Sequence, residues 1–383
     1  MEITGIDSGW LPWGVMTFLV LHAVVWVRFV RGFARARQWF GPTRTVVEKT
    51  FREAFEGEWP ALSVIVAARN EEAVIDRLLD AMAQQTYKQF ELIVVDDGST
   101  DDTAVLVEER AAGDDRIRLI RQDQAGKKAA IQAALSVSAH PVCVFTDADC
   151  TPGPDWLAAY ARAHGGPGAS LVVGYSPLEG TDSWLVRFQQ FDTTLNQFLA
   201  ASAIGDGKAY MARGGNLSYA RALHDQAGGF EGHVHHISGD DTLFIQAVRR
   251  QTDAVIRWLD TAEITVPSPA RERLGAWLRQ KRRQTSTGAS FDRTGVWRAG
   301  QFYWTLLVTV VLGAFGGWVL LGMTWLALSS LFALGLLPAA RAFRQPFSLG
   351  WIPLFLPAYI LFIALVPVAG ILFPPKRWQS RQD

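Results

Sequence analysis

Apolar residues are spread along this chain in two different ways, and the difference divides it. Three stretches, Leu11 to Val27, Phe302 to Ala340 and Leu349 to Phe373, contain no Asp, Glu, Lys or Arg. Between Pro60 and Pro267, short β-branched runs alternate with stretches of helical period. Long uncharged runs read as membrane helices, whereas alternating strand and helix patterns read as a sheet with crossover helices.

The run from Phe302 to Ala340 is 39 residues long. At 1.5 Å per residue it would make about 58 Å of helix, nearly twice a hydrocarbon core of about 30 Å. It must turn back on itself. The turn is expected at Gly322, Met323 and Thr324, near the midpoint, with Gly313, Gly316 and Gly317 as the alternative, giving spans over about 302–321 and 325–340. The stretch 349–373 is interrupted by Pro353, Pro357 and Pro367, so it is either a kinked span or a re-entrant segment.

At the other end, Glu2 and Asp7 precede the span 11–27, and Arg28, Arg31, Arg35 and Arg37 follow it. The positive-inside rule then puts the N-terminus outside and residue 31 onward in the cytoplasm. Basic residues after the apolar run, rather than before it, favour an anchor over a cleaved signal peptide. The tail raises a conflict. Three C-terminal spans would leave Lys376, Arg377 and Arg381 outside, whereas a re-entrant last segment would return them to the cytoplasm.

In the middle of the chain, strands are expected over 62–67, 91–96, 117–121, 142–147, 171–174 and 254–259, and helices over 71–85, 101–112, 127–138 and 242–250. Residues 182–203 place Trp184, Leu185, Phe188, Phe191, Leu195, Phe198 and Leu199 at helical spacing, which predicts an amphipathic helix packed on the sheet. Residues 271–298 carry eight basic and two acidic residues with Leu274, Trp277 and Leu278 among them. That segment reads as a helix on the inner membrane surface or as a basic linker held by anionic headgroups. The resulting organisation is an anchor with a basic flank (1–40), an α/β domain (41–267), a basic interfacial segment (268–300) and a C-terminal membrane region (301–383).

Composition narrows the function. Of the 383 residues 49% are hydrophobic and 19% charged, which argues against disorder, and 37 Lys and Arg balance 37 Asp and Glu, which argues against a nucleic-acid binder. Eleven of the 15 tryptophans (Trp10, Trp13, Trp26, Trp39, Trp277, Trp297, Trp304, Trp318, Trp325, Trp351 and Trp378) lie in or beside the terminal apolar stretches, as in an interfacial aromatic belt. Cys143 and Cys150 are too few for a disulfide scaffold or a Cys-ligated zinc site. The zero net charge is a sum of opposites: +2 over 1–40, −12 over 41–270, +6 over 271–298 and +4 over 341–383.

Ligands of open α/β sheets bind at the carboxyl ends of the strands, so the polar residues there carry the chemistry. The first strand runs into Arg69, Asn70, Glu71 and Glu72 without Gly-x-Gly-x-x-Gly, which excludes a dinucleotide oxidoreductase. Gly126-Lys127-Lys128 lacks the earlier glycine and the following Ser or Thr of a P-loop, which excludes that kind of ATPase. Strand two ends in Asp96-Asp97-Gly98-Ser99 and strand four in Asp147-Ala148-Asp149. Carboxylates two residues apart in extended backbone point the same way and supply hard oxygen ligands for Mg²⁺ or Mn²⁺, although Asp at a strand end also serves as a turn former or helix cap.

Taken together, SVIVAARNEE (63–72), ELIVVDDGSTDDT (91–103), GKKAAIQAAL (126–135), FTDADC (145–150), ARGGNLSYAR (212–221), SGDDTLF (238–244) and RQKRRQ (279–284) resemble the family 2 glycosyltransferases of GT-A fold. The likeness is to the membrane-embedded branch that includes cellulose, hyaluronan and poly-N-acetylglucosamine synthases and ceramide glucosyltransferase. The fold class it implies is α/β, a GT-A, Rossmann-like nucleotide-sugar-binding domain flanked by transmembrane helices. It implies that Asp97, with Arg69 and Glu71 beside it, recognises the nucleotide base and that Lys127 faces the diphosphate. Asp147 would contact nucleotide and metal, Asp149 would ligate the metal, and Asp241 would be the general base. Gly214, Gly215 and Asn216 fall where backbone approaches acceptor and donor sugar, with a plain turn as the alternative. Asp240 is assigned to the acceptor side and to the cap of the following helix, and Gln280 to the acceptor. Arg283 would grip the diphosphate.

Processive members carry Gln-x-x-Arg-Trp, but Gln284 stands where the Trp belongs. His233, His235 and His236 read as a polar loop near the acceptor rather than a metal site. The expected function is inverting transfer of a sugar from a nucleotide diphosphate sugar, with UDP the expected nucleotide, to a lipid or lipid-linked glycan. The cofactor would be Mn²⁺ or Mg²⁺. The partners would be that donor, a lipid or glycan acceptor and membrane lipids, with no nucleic acid. The protein would be multi-pass in the cell inner membrane, with its catalytic domain cytoplasmic. The alternatives are a processive polysaccharide synthase that secretes through its own spans and a non-catalytic scaffold of the same fold.

Overall fold

The computed structural model describes residues 8–38, 59–123, 126–165, 170–233, 236, 238–343 and 348–374, so Glu2, Asp7, Trp39, His235, Lys376, Arg377, Trp378 and Arg381 lie outside the described residues. Helix α1 (Leu11–Gln38) comes first, followed by β1 (Leu62–Ala68), α2 (Ile75–Ala83), β2 (Phe90–Asp97), α3 (Thr103–Ala111), β3 (Ile117–Gln122), α4 (Lys127–Val137), β4 (Val142–Thr146), α5 (Trp156–Gly165) and β5 (Leu171–Gly174). Then come β6 (Leu178–Glu179), α6 (Trp184–Gly205), β7 (Asn216–Ala220), α7 (Arg221–Gln226), α8 (Thr242–Gln251), β8 (Ile256–Leu259) and β9 (Ser268–Pro269). Helices α9 (Leu274–Thr285), α10 (Arg293–Phe315), α11 (Gly317–Phe343) and α12 (Ile352–Leu372) complete the chain.

Seven strands form one sheet in the order β3-β2-β1-β4-β7-β5-β8, parallel except for β7, which runs antiparallel to both neighbours. The order reverses between β1 and β4, so the crevice for a ligand opens beyond their carboxyl ends. Strands such as β1 are buried on both faces, because Val64 and Val66 pack under α2 and α5 while Ile65 joins the core on the other side. That second core continues without a break into the terminal helices, through Trp26, Phe33, Phe302, Phe332 and Tyr359.

The structure departs from the sequence pattern in five places. β7 and α5 lie outside the expected set; β7 is five residues of mixed polarity (NLSYA), and its pairing with β4 and β5 rather than its own pattern makes it a strand. The segment expected over 182–203 is helical, but α6 is buried nearly all round, including Gln189, Asp192, Thr194 and Gln197, because it lies between the sheet and the terminal helices. Residues 271–298 form two helices separated by a 3₁₀ turn at Gly288–Ser290, not one. The turn in the long apolar run falls at Gly316 and Gly317, not at 322–324: Gly317 has φ +81°, where glycine alone is unstrained. Trp26 and Trp277 are packed inside the protein and take no part in an aromatic belt, unlike the exposed Trp13, Trp297, Trp304 and Trp318.

Three segments are long and apolar enough to cross a membrane, Leu11–Gln38, Gly317–Phe343 and Leu349–Leu372. α1 docks on α6 through small residues. A Cβ on Gly205 would overlap Gly32 O and come within 2.5 Å of Ala36 N, so the two backbones touch only because side chains are missing there. Ion pairs flank the crossing: Asp206, at the end of α6, is shared by Arg35 and Arg298, and Arg37 meets Asp260 at 2.7 Å.

Candidate functional site

At the end of β1 the chain turns through Asn70, the one positive-φ residue other than glycine among those described, at φ 52°. Asn70 ties this loop to the one after β2. Its N–H donates to Ser99 Oγ at 2.9 Å and its Oδ1 accepts from the Thr100 N–H at 2.8 Å. The Glu71 N–H donates to Thr103 Oγ1 at 2.8 Å, which fixes a second crossing of the same loops. Arg69 and Glu71 are therefore held on one wall beside Asp96 and Asp97. Asn70, which the sequence reading passed over, is the residue that joins the two loops; an Asn between a strand and an acidic turn was its only signal.

Asp97 is fully buried and its acceptors are engaged, by Gln122 Nε2 at 2.7 Å and by the Gly126 N–H at 3.0 and 3.1 Å. It anchors the start of α4. Asp96 differs: Oδ2 accepts from the Ser99 N–H at 3.3 Å, while Oδ1 is buried without a partner.

Lys127, the first residue of α4, is carried by this anchor to the carboxylates of the other loops. Its Nζ lies 2.7 Å from Asp147 Oδ1 and 3.5 Å from Asp240 Oδ2. Burial pushes Lys127 toward the neutral form, but Asp147, Asp240 and Asp241 outweigh it and hold its pKa above the ordinary lysine value. Burial likewise pushes Asp147 up, and Lys127, Arg213 and Arg283 more than offset it, so that Asp147 stays below the usual carboxylate range. Arg213, next to Gly214, is thus a second basic neighbour of Asp147 that the sequence reading missed, although it stands inside the ARGGN motif.

Asp241 caps α8: its Oδ1 accepts from the Thr242 N–H at 2.5 Å and its Oδ2 from the Gly214 N–H at 2.7 Å. Capping had been expected of Asp240, whose carboxylate instead faces Lys127. Burial first, and the Asp240 charge second, push Asp241 up to about 6, against the pull of Lys127 and of the two N–H groups. The floor beneath is apolar, formed by Ile65, Phe145, Leu217, Tyr219 and Phe230 around a cavity of about 20 Å³.

Gly214 and Gly215 are pressed into this cluster. A Cβ on Gly215 would lie 2.7 Å from Asp147 Oδ2, and one on Gly214 3.4 Å from Asp241 Oδ2. Asn216 was expected beside them on the acceptor side, but it faces the core. Trp156 Nε1 and the Tyr160 hydroxyl donate to its Oδ1 at 2.9 and 2.8 Å, and its Nδ2 donates to Tyr175 O and Ile264 O, which completes its bonding at 0% exposure. Gln280 bonds to Arg271 at 3.4 Å, not to the carboxylate cluster. Of the histidine loop, His236 bonds to Ser290 Oγ at 2.7 Å, and its carbonyl accepts from Lys128 at 2.6 Å.

Ligand atoms of Asp147, Asp149 and Cys150 lie within 4.8 Å of one another. Burial, then the charges of Asp147 and Asp149, push the Cys150 thiol up to about 12, so it is protonated at neutral pH. Two carboxylates and no thiolate make a donor set that fits a hard divalent cation.

Residues 63–226 match the family model Glycosyl transferase family 2. The chain is 30% identical over 202 residues to glycosyltransferase AglE of Haloferax volcanii, covering 51% of this chain and 62% of that protein. It is 31% identical over 149 residues to the beta-monoglucosyldiacylglycerol synthase of Nostoc sp., covering 38% of this chain and 28% of that one. It thus spans less than two thirds of the length of either relative. The fold is similar to that of mannosyltransferase PcManGT from Pyrobaculum calidifontis, solved with GDP-Man and Mn²⁺, with a TM-score of 0.57 and 20% identity over 96% of this chain and 100% of the other.

Proposed function

Residues 63–226 form a family 2 glycosyltransferase domain of GT-A fold, and from that premise we propose that the chain transfers a sugar from a nucleotide diphosphate sugar to a lipid or lipid-linked glycan, with inversion. The observation that carries the reading is Asp241, a carboxylate lifted to about 6 and fixed by two backbone N–H groups beside the Lys127–Asp147 pair. A base of that pKa is ionised at neutral pH yet holds a proton better than an ordinary aspartate, which suits removal of a proton from an acceptor hydroxyl. One base on one face implies a single displacement.

In this reading Asp147 and Asp149 hold a divalent metal, which when bound neutralises charge on the leaving diphosphate. Lys127, Arg213 and Arg283 converge on Asp147 from three elements and orient the diphosphate by charge and hydrogen bonds. Asp97 acts through Gly126 by placing Lys127, and base recognition passes to Asp96, whose buried Oδ1 lacks a partner. Arg69 and Glu71 form the wall beside it. Gly214, Gly215 and Asp240 face the acceptor, while Asn216 keeps its core role. UDP remains the expected nucleotide; PcManGT was solved with GDP-Man. The glycolipid synthase among the relatives supports a lipid acceptor. The exposed Gln284 supports single addition over processive synthesis, because no aromatic platform stands there.

In this reading the protein sits in a membrane with the domain on the side of Arg31, Arg35 and Arg37, the cytoplasmic side; the three helices long and apolar enough to cross and the positive-inside rule support it. The test is to incubate membranes containing the protein with labelled nucleotide sugars and Mn²⁺ and to follow lipid products by mass. Donor-dependent glycolipid that disappears in Asp241→Asn is the expected result; equal product from that variant overturns the assignment.

A further inference from the structure

Three long helices leave the catalytic domain. α1 is tied to it over its carboxyl-terminal half, through Trp26 and Phe33 on Phe198 and through Gly32, Arg35 and Arg37, while near its other end a Cβ on Gly14 would meet Leu312 of α10 at 3.4 Å. α10 begins at Asp292, which pairs with Arg249, and ends at the exposed Phe315. α11 starts beside it at Gly317 and returns to place Phe343 on Tyr175, with ring centroids 4.1 Å apart, and on Trp258. Each of the three has one end on the domain and one end far from it.

α12 is arranged differently. Near its start, Phe355 packs on Trp184, Phe188 and Phe191 of α6. In its middle, Phe362 stacks on Trp277 of α9 at 4.9 Å. Its end is still on the domain: Thr285 Oγ1 donates to Val366 O at 3.4 Å, and a Cβ on Gly370 would lie 2.8 Å from Arg282 O. Ile371 reaches Gly288, whose neighbour Thr287 abuts Gly239 of the Gly239-Asp240-Asp241 loop, where a Cβ would stand 3.0 Å away. α9 and α12 therefore run side by side in the same direction.

A helix of 21 residues is about 31 Å long, the thickness of a hydrocarbon core. Had α12 crossed the membrane, one end would stand that far from the domain, as the ends of α1, α10 and α11 do. We infer that α12 lies in the plane of the membrane, its inner face on α6 and α9 and its outer face on the acyl chains of the leaflet next to the catalytic domain. The occupant follows from what α12 presents. Leu354, Leu361, Leu365, Val368 and Leu372 form a stripe, each more than half exposed, on a helix without one charged residue. Exposed apolar residues of the same kind stand on α1 (Val20, Val24, Val27) and α11 (Leu326, Leu334). The helical backbone bonds most of its own polar groups, except for the carbonyls one turn before Pro357 and Pro367, which lose their N–H donors.

Two consequences go beyond the proposed reaction. The chain leaves α12 on the domain side, which removes the conflict between the basic tail and the positive-inside rule. And α9, which carries Arg283, is clamped between the domain and a lipid-seated helix instead of lying on the membrane itself, as its sequence had suggested.

The test labels single cysteines in the full chain, whose own Cys143 and Cys150 are buried. Trp318→Cys, at the far turn, and Phe373→Cys, at the end of α12, are treated with an impermeant maleimide in intact cells and in inside-out vesicles. Trp318→Cys should label in cells, and Phe373→Cys only in inside-out vesicles; labelling of both in cells overturns the inference. Fluorophores at Leu354→Cys, Leu361→Cys and Leu372→Cys, quenched by lipids brominated at stepped depths, should report one common depth. A depth that changes steadily from 354 to 372 by the thickness of the core overturns it independently. Neither readout depends on turnover, so an inactive protein with the expected topology would count against the glycosyltransferase reading alone.

Discussion

Two charged clusters in this chain are mirror images. Beside the carboxyl ends of the strands, the carboxylates Asp147, Asp240 and Asp241 crowd around the ammonium of Lys127, with Lys128, Arg213 and Arg283 acting on them from further out. Where α6 meets the membrane helices, the single carboxylate of Asp206 is shared by the guanidiniums of Arg35 and Arg298, with Arg28 close enough to feel both. Burial disfavours charge in both places, yet Asp241 rises to about 6, whereas the two guanidiniums overcome burial and hold Asp206 below the usual range. The difference separates a site from a joint. The first cluster leaves Asp241 above the usual carboxylate range, and in the proposed reading it supplies the base and holds a divalent cation at some cost in stability. The second keeps surplus positive charge, which locks α1 and α10 onto the end of α6.

The comparison breaks first at its two carboxylates. Asp241→Asn loses the base and, because an amide nitrogen cannot accept, one of the two N–H partners, so kcat should fall by about 10²- to 10⁴-fold. In the parent enzyme, kcat should fall as the pH drops through about 6, the value to which Asp241 is raised. A group whose folded pKa is raised lends stability below its unfolded pKa and loses it as the pH rises through the folded value. The substituted protein should therefore lack the loss of stability that the parent shows as the pH rises through about 6, while turning over almost nothing. Asp206→Ala should do the reverse. It strands Arg298, which is only 2% exposed, and should cost about 3–5 kcal/mol of stability, with the donor KM of the surviving protein unchanged. Because Asp206 is depressed, the stability it lends is present above its unfolded pKa and is lost as the pH falls through its folded value. Loss of donor turnover without loss of stability in Asp206→Ala would erase the distinction.

Two glycines sharpen it. Adding a methyl at Gly205 drives it into the backbone of α1, which cannot yield, so Gly205→Ala should lower stability by about 1–3 kcal/mol in a detergent melt. Adding one at Gly215 meets the end of the Asp147 side chain, 2.7 Å away, which can swing aside. Gly215→Ala should therefore fold normally and require more Mn²⁺ for half-maximal activity. A shared melting temperature, or a shared metal requirement, would show that close packing serves one purpose in both places.

How far these regions could be read in advance depends on where their information resides. β1, β2 and β4 were legible because Leu62 to Ala68 and its neighbours are apolar runs that end abruptly in charged residues. Asp96, Asp97 and Asp147 were legible for the same reason, since the ends of β2 and β4 deliver them by register, whereas Asp240 and Asp241 come from the loop that caps α8. β7 was not, because its strand character comes from β4 and β5 on either side. Asn216 was misassigned because a motif says that a residue matters without saying whether the site or the core needs it; Trp156 and Tyr160, 60 and 56 residues away, decide that. The joint was invisible for a related reason. Gly32, Gly205, Asp206 and Arg298 are ordinary residues in sequence, and only the crossing of α1 over α6 gives them a common task.

The smallest expected effect tests whether the basic segment before α10 belongs to the site or to the membrane. Arg283 lies on α9 and helps to hold Asp147 below the usual range, while Arg293 is exposed at the start of α10. If the +6 segment only seats the protein on anionic lipid, reversing either charge should weaken membrane attachment alike and leave the donor KM alone. If α12 instead clamps α9 so that Arg283 reaches the diphosphate, Arg283→Glu should raise the donor KM by about tenfold, the equivalent of 1.4 kcal/mol, and Arg293→Glu should leave it unchanged. The expected pattern also has a direction in metal. Arg283→Glu places a carboxylate near Asp147, so added Mn²⁺ should recover part of the loss, whereas a misplaced α9 would not respond. Equal KM values for the two variants at saturating Mn²⁺ and at limiting Mn²⁺ would reduce the segment to a lipid anchor and leave the grip on the diphosphate to Lys127 and Arg213.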